Sequence, residues 1–367
     1  MALRRVAECG WSRRGVIIYC GSRLGLVACG ASGDDWRVGA VTHKRRRRGV
    51  ILVAAGLVAG VTVVAARNTY PVGHFTSAAG QDRFLAAYDK AMQVLPAPEQ
   101  ALDLRTQFGV VRVYRFTSSA STGQVPIVLL PGRASASPIW ADNLPTLLRQ
   151  APIYTVDLLG EPGMSIQSRP ITGGADQAQW LNQVVAQLPE PQFDLLGVSI
   201  GGWTAMNLAV HDPHKIRSVI LLDPVFVFGP ISTAAIIRSI PASVGWLPKS
   251  WRDNFNSWTA NGAPVEDVPA AEMIEAGMHS YALKLPSPQQ ITEQQLSNLT
   301  LPVLAILAGK SRMHDSRAAA TVGERALRAG QVTVYRDASH AINGEYPKQI
   351  AEDIEQFRLT LAMHSDV

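Results

Sequence analysis

Residues 193–202 read FDLLGVSIGG. A short apolar run, Phe193–Val198, meets a tight G-x-S-x-G turn centred on Ser199 and then opens into the apolar-spaced stretch 201–211. The run has the length and composition of a buried strand, and the stretch after it has helical spacing. A serine on so tight a strand-to-helix turn is held with its hydroxyl exposed at the end of the strand. The flanking Gly197 and Gly201 allow the turn to be tight and the helix to pack close. The pentapeptide alone is weak, because Gly and Ser are common; its place between strand and helix makes it informative. Ile200, first in the helix, can offer its backbone N–H to a developing oxyanion.

The same alternation extends in both directions. Val110–Phe116 alternates apolar and polar residues, the pattern of a half-buried strand. Continuous apolar runs follow at 126–130, 153–159, 219–222, 303–307 and 331–335. Helical spacing fills 138–149, 174–188, 316–328 and 347–362. Short buried strands alternating with helices predict an α/β fold: a mainly parallel sheet with helices on both faces. One interval is too long for a connection. Residues 227–300 hold Trp246, Trp251, Phe255, Trp258, Met273, Met278 and Tyr281, and are read as a helical cap inserted over the strand ends. Residues 67–103 are read as a connector containing one helix at 81–94, and 104–367 as the domain.

A serine hydroxyl is a weak nucleophile unless a base takes its proton and an acid orients the base. His340, in Asp337-Ala338-Ser339-His340-Ala341 after the last expected strand, is the best-placed base. Two acids compete. Asp315 follows the 303–307 strand, after Gly309, and is preferred; Asp223 ends the 219–222 strand and is the alternative. Asp315 would also serve as an N-cap for a helix beginning near Ser316. A second oxyanion donor is expected in Pro131-Gly132-Arg133, where Gly132 permits close approach and the Arg133 N–H is the candidate. No cofactor or metal is called for, and His211-Asp212-Pro213-His214 is read as a helix end rather than a set of metal ligands.

Composition narrows the classes. Apolar residues make 47% and charged residues 17%, which excludes a mainly disordered chain, and 30 Gly with 23 Pro show no collagen-like period. The net charge of +5 misleads if spread over the whole chain. Residues 1–48 carry 11 Lys/Arg against three acids, whereas 49–367 carry 23 against 26. No basic nucleic-acid face is left downstream. Lys44–Arg48 abuts GVILVAAGLVAGVTVVAA, residues 49–66, which is uncharged. As a helix it spans roughly 27 Å, near the thickness of a bilayer core. The positive-inside bias predicts a single-pass signal anchor with a cytoplasmic N-terminus and an extracytoplasmic domain; the alternative is secretion after cleavage near Ala66. Residues 1–48 are read as a basic, disordered cytoplasmic tail, or 1–43 as an extension upstream of a start near Val41. Cys9, Cys20 and Cys29 all lie there, so no disulfide supports the rest.

Five stretches carry a family resemblance: LLPGRASASPIWADNLP (129–145), DLLGEPGMS (157–165), GVSIGGWTAMNLA (197–209), LLDPVF (221–226) and DASHAINGEYP (337–347). Together they resemble the α/β-hydrolase superfamily, in particular membrane-anchored serine hydrolases of high-GC (actinobacterial) bacteria. The resemblance implies Ser199 as nucleophile, His340 as base, and Gly132, Arg133 and Ile200 around the oxyanion. The chain departs from it where many relatives have His-Gly in place of Pro131-Gly132, and an acid in place of Arg312. The expected activity is hydrolysis of ester or related acyl bonds of a small, apolar substrate through an acyl-enzyme. The alternatives are an acyltransferase or thioesterase with the same triad, or a silent binding protein of the same fold.

Overall fold

The computed structural model describes residues 70–365. The expected anchor at 49–66 and the basic tail at 1–48 lie outside the described residues. Among the described residues, no helix is long and apolar enough to cross a membrane.

In chain order the elements are β1 (His74–Phe75), α1 (Ala78–Met92), β2 (Gln100–Thr106), β3 (Gly109–Phe116), β4 (Ile127–Leu130), α2 (Leu144–Leu147), β5 (Ile153–Val156), β6 (Ile166–Gln167), α3 (Gly174–Gln187), β7 (Phe193–Val198), α4 (Ile200–His211) and β8 (Ile216–Leu222). The cap follows as α5 (Thr233–Ala242), α6 (Lys249–Thr259), α7 (Pro269–Ser280), β9 (Tyr281–Ala282) and α8 (Glu293–Asn298). The chain then returns to the sheet with β10 (Val303–Ala308), α9 (Ser316–Ala326), β11 (Gly330–Tyr335), α10 (Ile342–Glu345) and α11 (Pro347–Ser365). The sheet order is β11-β10-β8-β7-β4-β5-β3-β2, with β6 also paired to β3. Pairing is parallel from β11 to β5. It is antiparallel between β5, β3 and β2.

The strands read as unbroken apolar runs because both faces of the sheet are covered. Successive side chains point to opposite faces. Leu195 therefore packs in one layer with Val128, Leu221 and Ala305, while its neighbour Leu196 packs in the other with Leu129, Ile220 and Ile306. Trp180 and Leu181 of α3 and Trp203 of α4 close the first layer. Phe84 and Tyr88 of α1, Trp140, and Ile354 and Phe357 of α11 close the second. From β4 the chain goes to β5 on one side and later to β7 on the other. That reversal leaves a crevice beyond the carboxyl ends of β4 and β7, where ligands bind in such sheets.

Two expectations change. The expected helix over 138–149 is broken into a 3₁₀ turn at Ser137–Trp140 and the single turn α2. Pro138 and Pro145 each begin a new piece, as proline does where it has no amide hydrogen to give. The connector is the larger correction. Beyond Tyr70 it is integral to the domain. Helix α1 buries Phe84, Ala87, Tyr88 and Ala91 in the core, and β2 forms the sheet edge against β3. The short β1 pairs with β9 at the foot of the cap. Lys90 of α1 also meets Glu272 of α7 at 2.6 Å. The sequence hid this because a helix between a core and a cap looks like any amphipathic helix. Phe84→Ala is expected to lower the unfolding free energy by about 3–5 kcal/mol, read from denaturant titration. A change under about 0.5 kcal/mol would return this segment to the status of a tether.

Candidate active site

Ser199 sits between β7 and α4 with φ 55° and ψ −118°. A non-glycine residue in this region is strained and persists only where the surroundings force it. The force is steric. A Cβ at Gly201 would lie 2.1 Å from the Leu130 carbonyl oxygen, and one at Gly197 would lie 2.2 Å from the Gly201 carbonyl oxygen. The helix therefore starts hard against the ends of β4 and β7. The Ser199 side chain does not cap its own helix. Its Oγ lies instead 2.9 Å from Nε2 of His340.

His340 reaches this point from the loop after β11. Its Nδ1 lies 2.6 Å from Oδ2 of Asp223. Asp223 is fully buried at the end of β8. The Ala308 N–H donates to its Oδ1 at 3.0 Å and the Ser311 hydroxyl to its Oδ2 at 2.7 Å. A second imidazole faces it: His314 Nε2 lies 3.0 Å from Oδ1, off the line of a hydrogen bond. Burial pushes the Asp223 carboxyl up, but His314 and His340 outweigh it and hold the group well below the usual carboxylate range. An ionised carboxylate only accepts, so His340 Nδ1 carries the proton. Nε2 is left as the acceptor for the Ser199 hydroxyl.

The structure thus puts Asp223, not Asp315, against His340. Asp315 is exposed and caps α9, its Oδ1 accepting from the Arg317 and Ala318 N–H groups at 3.1 and 3.0 Å. The reason is strand order. Strand β8 lies between β7 and β10, so the residue after β8 is next to Ser199. The loop after β10 delivers Ser311 and His314 to that carboxylate instead of an acid of its own. Arg312, where many relatives have the acid, turns away to Asn261 at 3.0 Å and lies over Trp258.

Gly132 and Ile200 both lie beside Ser199, and Arg133 follows Gly132 in the loop after β4. A Cβ at Gly132 would be 3.8 Å from that of Ser199, and Ile200 is the first residue of α4. Two buried acids, unnoticed in the sequence, hold this loop. Glu161 Oε2 accepts from the Ala134 N–H at 3.1 Å, and its Oε1 lies 3.2 Å from Arg133 Nη1. Asp157 accepts from the Ser137 N–H and hydroxyl at 2.8 and 2.7 Å. It also accepts from the Tyr88 hydroxyl of α1 at 2.9 Å. Their signal was an acid just after a continuous apolar strand, a place where a charge is kept only if it is satisfied. His211 closes α4, its Nδ1 2.9 Å from the Asn207 carbonyl oxygen. Among the described residues, no group of three or more His, Cys, Asp or Glu is placed to hold a metal.

The charges around Asp223 set a pH dependence. Burial lowers the affinity of His314 for a proton, but the contact with Asp223 outweighs it and pushes the imidazole up. A group raised in the folded state adds stability that is fully present below its unfolded value, about 6.5 for histidine. That stability is lost as pH rises through the folded value. The difference in Tm between the wild type and His314→Gln is therefore expected to be larger at pH near 6 than near 9. A difference independent of pH would contradict the pairing.

The alpha/beta hydrolase family model matches residues 127–353. A carboxylesterase named nap, from Bacillus subtilis (strain 168), is 23% identical over 282 residues, covering 75% of this chain and 92% of its own length. The crystal structure of naproxen esterase from Bacillus subtilis superposes with a TM-score of 0.70 at 21% identity, over 76% of this chain and 98% of that one. The structure of a membrane phospholipase A superposes at 0.62 and 17% identity, over 87% of this chain and 99% of its own. The family model runs from β4 into the first turns of α11, and takes in the Ser199 turn, Asp223 and His340. The chain belongs to the alpha/beta hydrolase family.

Proposed function

We propose that the protein is a serine hydrolase of carboxylic esters, working through an acyl-enzyme. The observation that carries this reading is the unbroken chain from Ser199 Oγ through His340 to the buried Asp223, at 2.9 and 2.6 Å. Ser199 Oγ attacks the ester carbonyl as its proton passes to His340 Nε2. Asp223 holds the ring in the productive tautomer and stabilises the imidazolium that forms. The oxyanion accepts from the Ile200 and Arg133 N–H groups, to which no backbone carbonyl among the described residues is bonded. The C–O bond then breaks, and the imidazolium gives its proton to the departing alcohol. Water, deprotonated by the same imidazole, attacks the acyl-enzyme, releases the acid and restores Ser199.

The carboxylesterase names among the relatives support an ester rather than another acyl bond. Two features favour an apolar substrate portion: the cavity beside Ile200 and Arg133, lined by Leu158, Leu159, Trp203 and Leu285, and the phospholipase named among the structural neighbours. The uncharged segment 49–66 after Lys44–Arg48 supports a membrane-anchored chain with its catalytic domain outside, the arrangement also suggested by the resemblance to anchored hydrolases.

A fluorophosphonate probe is expected to label the wild type and not Ser199→Ala; equal labelling of both would remove the hydrolase reading. Against short p-nitrophenyl esters, Asp223→Asn is expected to lower kcat by roughly 10³–10⁴. Asp315→Ala is expected to leave kcat unchanged while costing about 1 kcal/mol of stability through the lost cap. The opposite ranking would move the acid to Asp315.

A further inference from the structure

Among the described residues, the cap carries an apolar face that no other element covers. On α5, Ala235 is buried, whereas Ile236, Ile237 and Ile240 are 48%, 61% and 59% exposed. Residues three and four apart on a helix share a side, and Ile240 is three from Ile237 and four from Ile236, so the three isoleucines form one outward stripe. Trp246, after the helix, is 72% exposed and Trp251, at the start of α6, is 49% exposed. Large apolar residues exposed singly are ordinary; four on two successive helices and a fifth on the turn between them mark a surface that is covered in use.

Charge says what covers it. From Pro224 to Arg252 the chain has no acidic residue, while Arg238 and Lys249 are exposed beside the stripe. Arg238 lies over the Trp258 ring, and Lys249 pairs with Asp253, the first acid after this stretch. Isoleucine and tryptophan with Arg238 and Lys249 at the rim suit the boundary between acyl chains and anionic headgroups. The sequence supplies a second reason. The uncharged, bilayer-length segment ends at Ala66, four residues before Tyr70. From Tyr70 the chain runs directly into β1, which pairs with β9 at the foot of the cap.

We propose that the face formed by Ile236, Ile237, Ile240, Trp246 and Trp251 docks the cap into the surface of an anionic lipid bilayer. The docked helices touch the catalytic loops. The Ser232 N–H and hydroxyl, at the start of α5, donate to the Met313 and Arg312 carbonyl oxygens at 2.7 Å each. Thr259, at the end of α6, accepts from the His340 N–H at 3.3 Å. Docking holds the mouth of the site at the depth where lipid esters lie. Resting on the ester-hydrolase reading, this makes bilayer-resident esters the substrate class.

The test uses the full chain reconstituted into phosphatidylcholine–phosphatidylglycerol vesicles, with and without phospholipid brominated high on its acyl chains. Brominated lipid is expected to quench tryptophan fluorescence, and the double variant Trp246→Phe/Trp251→Phe is expected to lose most of that quenching. Unchanged quenching in the double variant overturns the proposal. So does a face that stays unquenched while it mediates self-association or binds another protein. In parallel, Ile236→Glu/Ile237→Glu/Ile240→Glu is expected to hydrolyse a bilayer-resident ester about tenfold more slowly, with turnover of a short soluble ester unchanged. Equal rates on both esters reject docking and leave the hydrolase intact. A wild type inactive on the soluble ester rejects the hydrolase, while the quenching still reports on docking.

Discussion

The start of α4 is pressed so closely against the ends of two strands that a Cβ at Gly201 would stand 2.1 Å from the Leu130 carbonyl oxygen. That close approach fixes three things at once. It drives Ser199 to a positive φ, so that its hydroxyl leaves the helix axis and faces His340. It brings the free N–H of the first helical turn to the side of the nucleophile. It sets the loop after β4, with Gly132 and Arg133, on the opposite flank. Replacing the small residues would open this junction and displace Ser199 and the loop of Gly132 and Arg133 relative to each other.

Around this junction, buried acids are used as fixed points. Asp157 and Glu161 follow β5 and accept from the loop after β4, and Asp157 also receives the Tyr88 hydroxyl from α1. Asp223 follows β8 and accepts from the loop after β10 and from His340. Each is out of water and would be costly without several donors. With donors against it, each ties a loop to the end of a strand. His314 adds a second cation-forming group to Asp223 and keeps its carboxylate ionised, so that it stays an acceptor for the His340 ring. The helix α1 and the cap are joined to the same scaffold, α1 through Tyr88 and the cap through its contacts with the catalytic loops.

Much of this was legible from local pattern. Strand and helix periods located β4, β7, β8, β10 and β11 and the helices between them, because a covered parallel sheet imposes continuous apolar runs on the chain. The length and aromatic content of 227–300 marked out the helical insertion between β8 and β10. Less was legible where the signal is shared by unrelated structures. Helix α1 has the amphipathic spacing of any surface helix, and nothing local says that Phe84 and Tyr88 enter the main core. Two prolines broke the expected 138–149 helix, although the apolar spacing ran through them.

The division is clearest among the residues of the candidate site. The sequence by itself determined the turn that exposes Ser199, because its strand–turn–helix is built from ten neighbouring residues. It also determined His340, as the histidine on a loop just after the last strand. It could not choose the acid. Asp223 and Asp315 both follow apolar strands, both precede His340 in the chain, and each could have served a local role. Only the tertiary structure decided which aspartate meets the ring. Strand β8 is placed between β7 and β10, so the carboxylate at its end is buried beside Ser199, whereas Asp315 is carried outward to cap a helix in water. Adjacency in a parallel sheet is set by long-range pairing, and that pairing leaves no mark on the residues next to the acid.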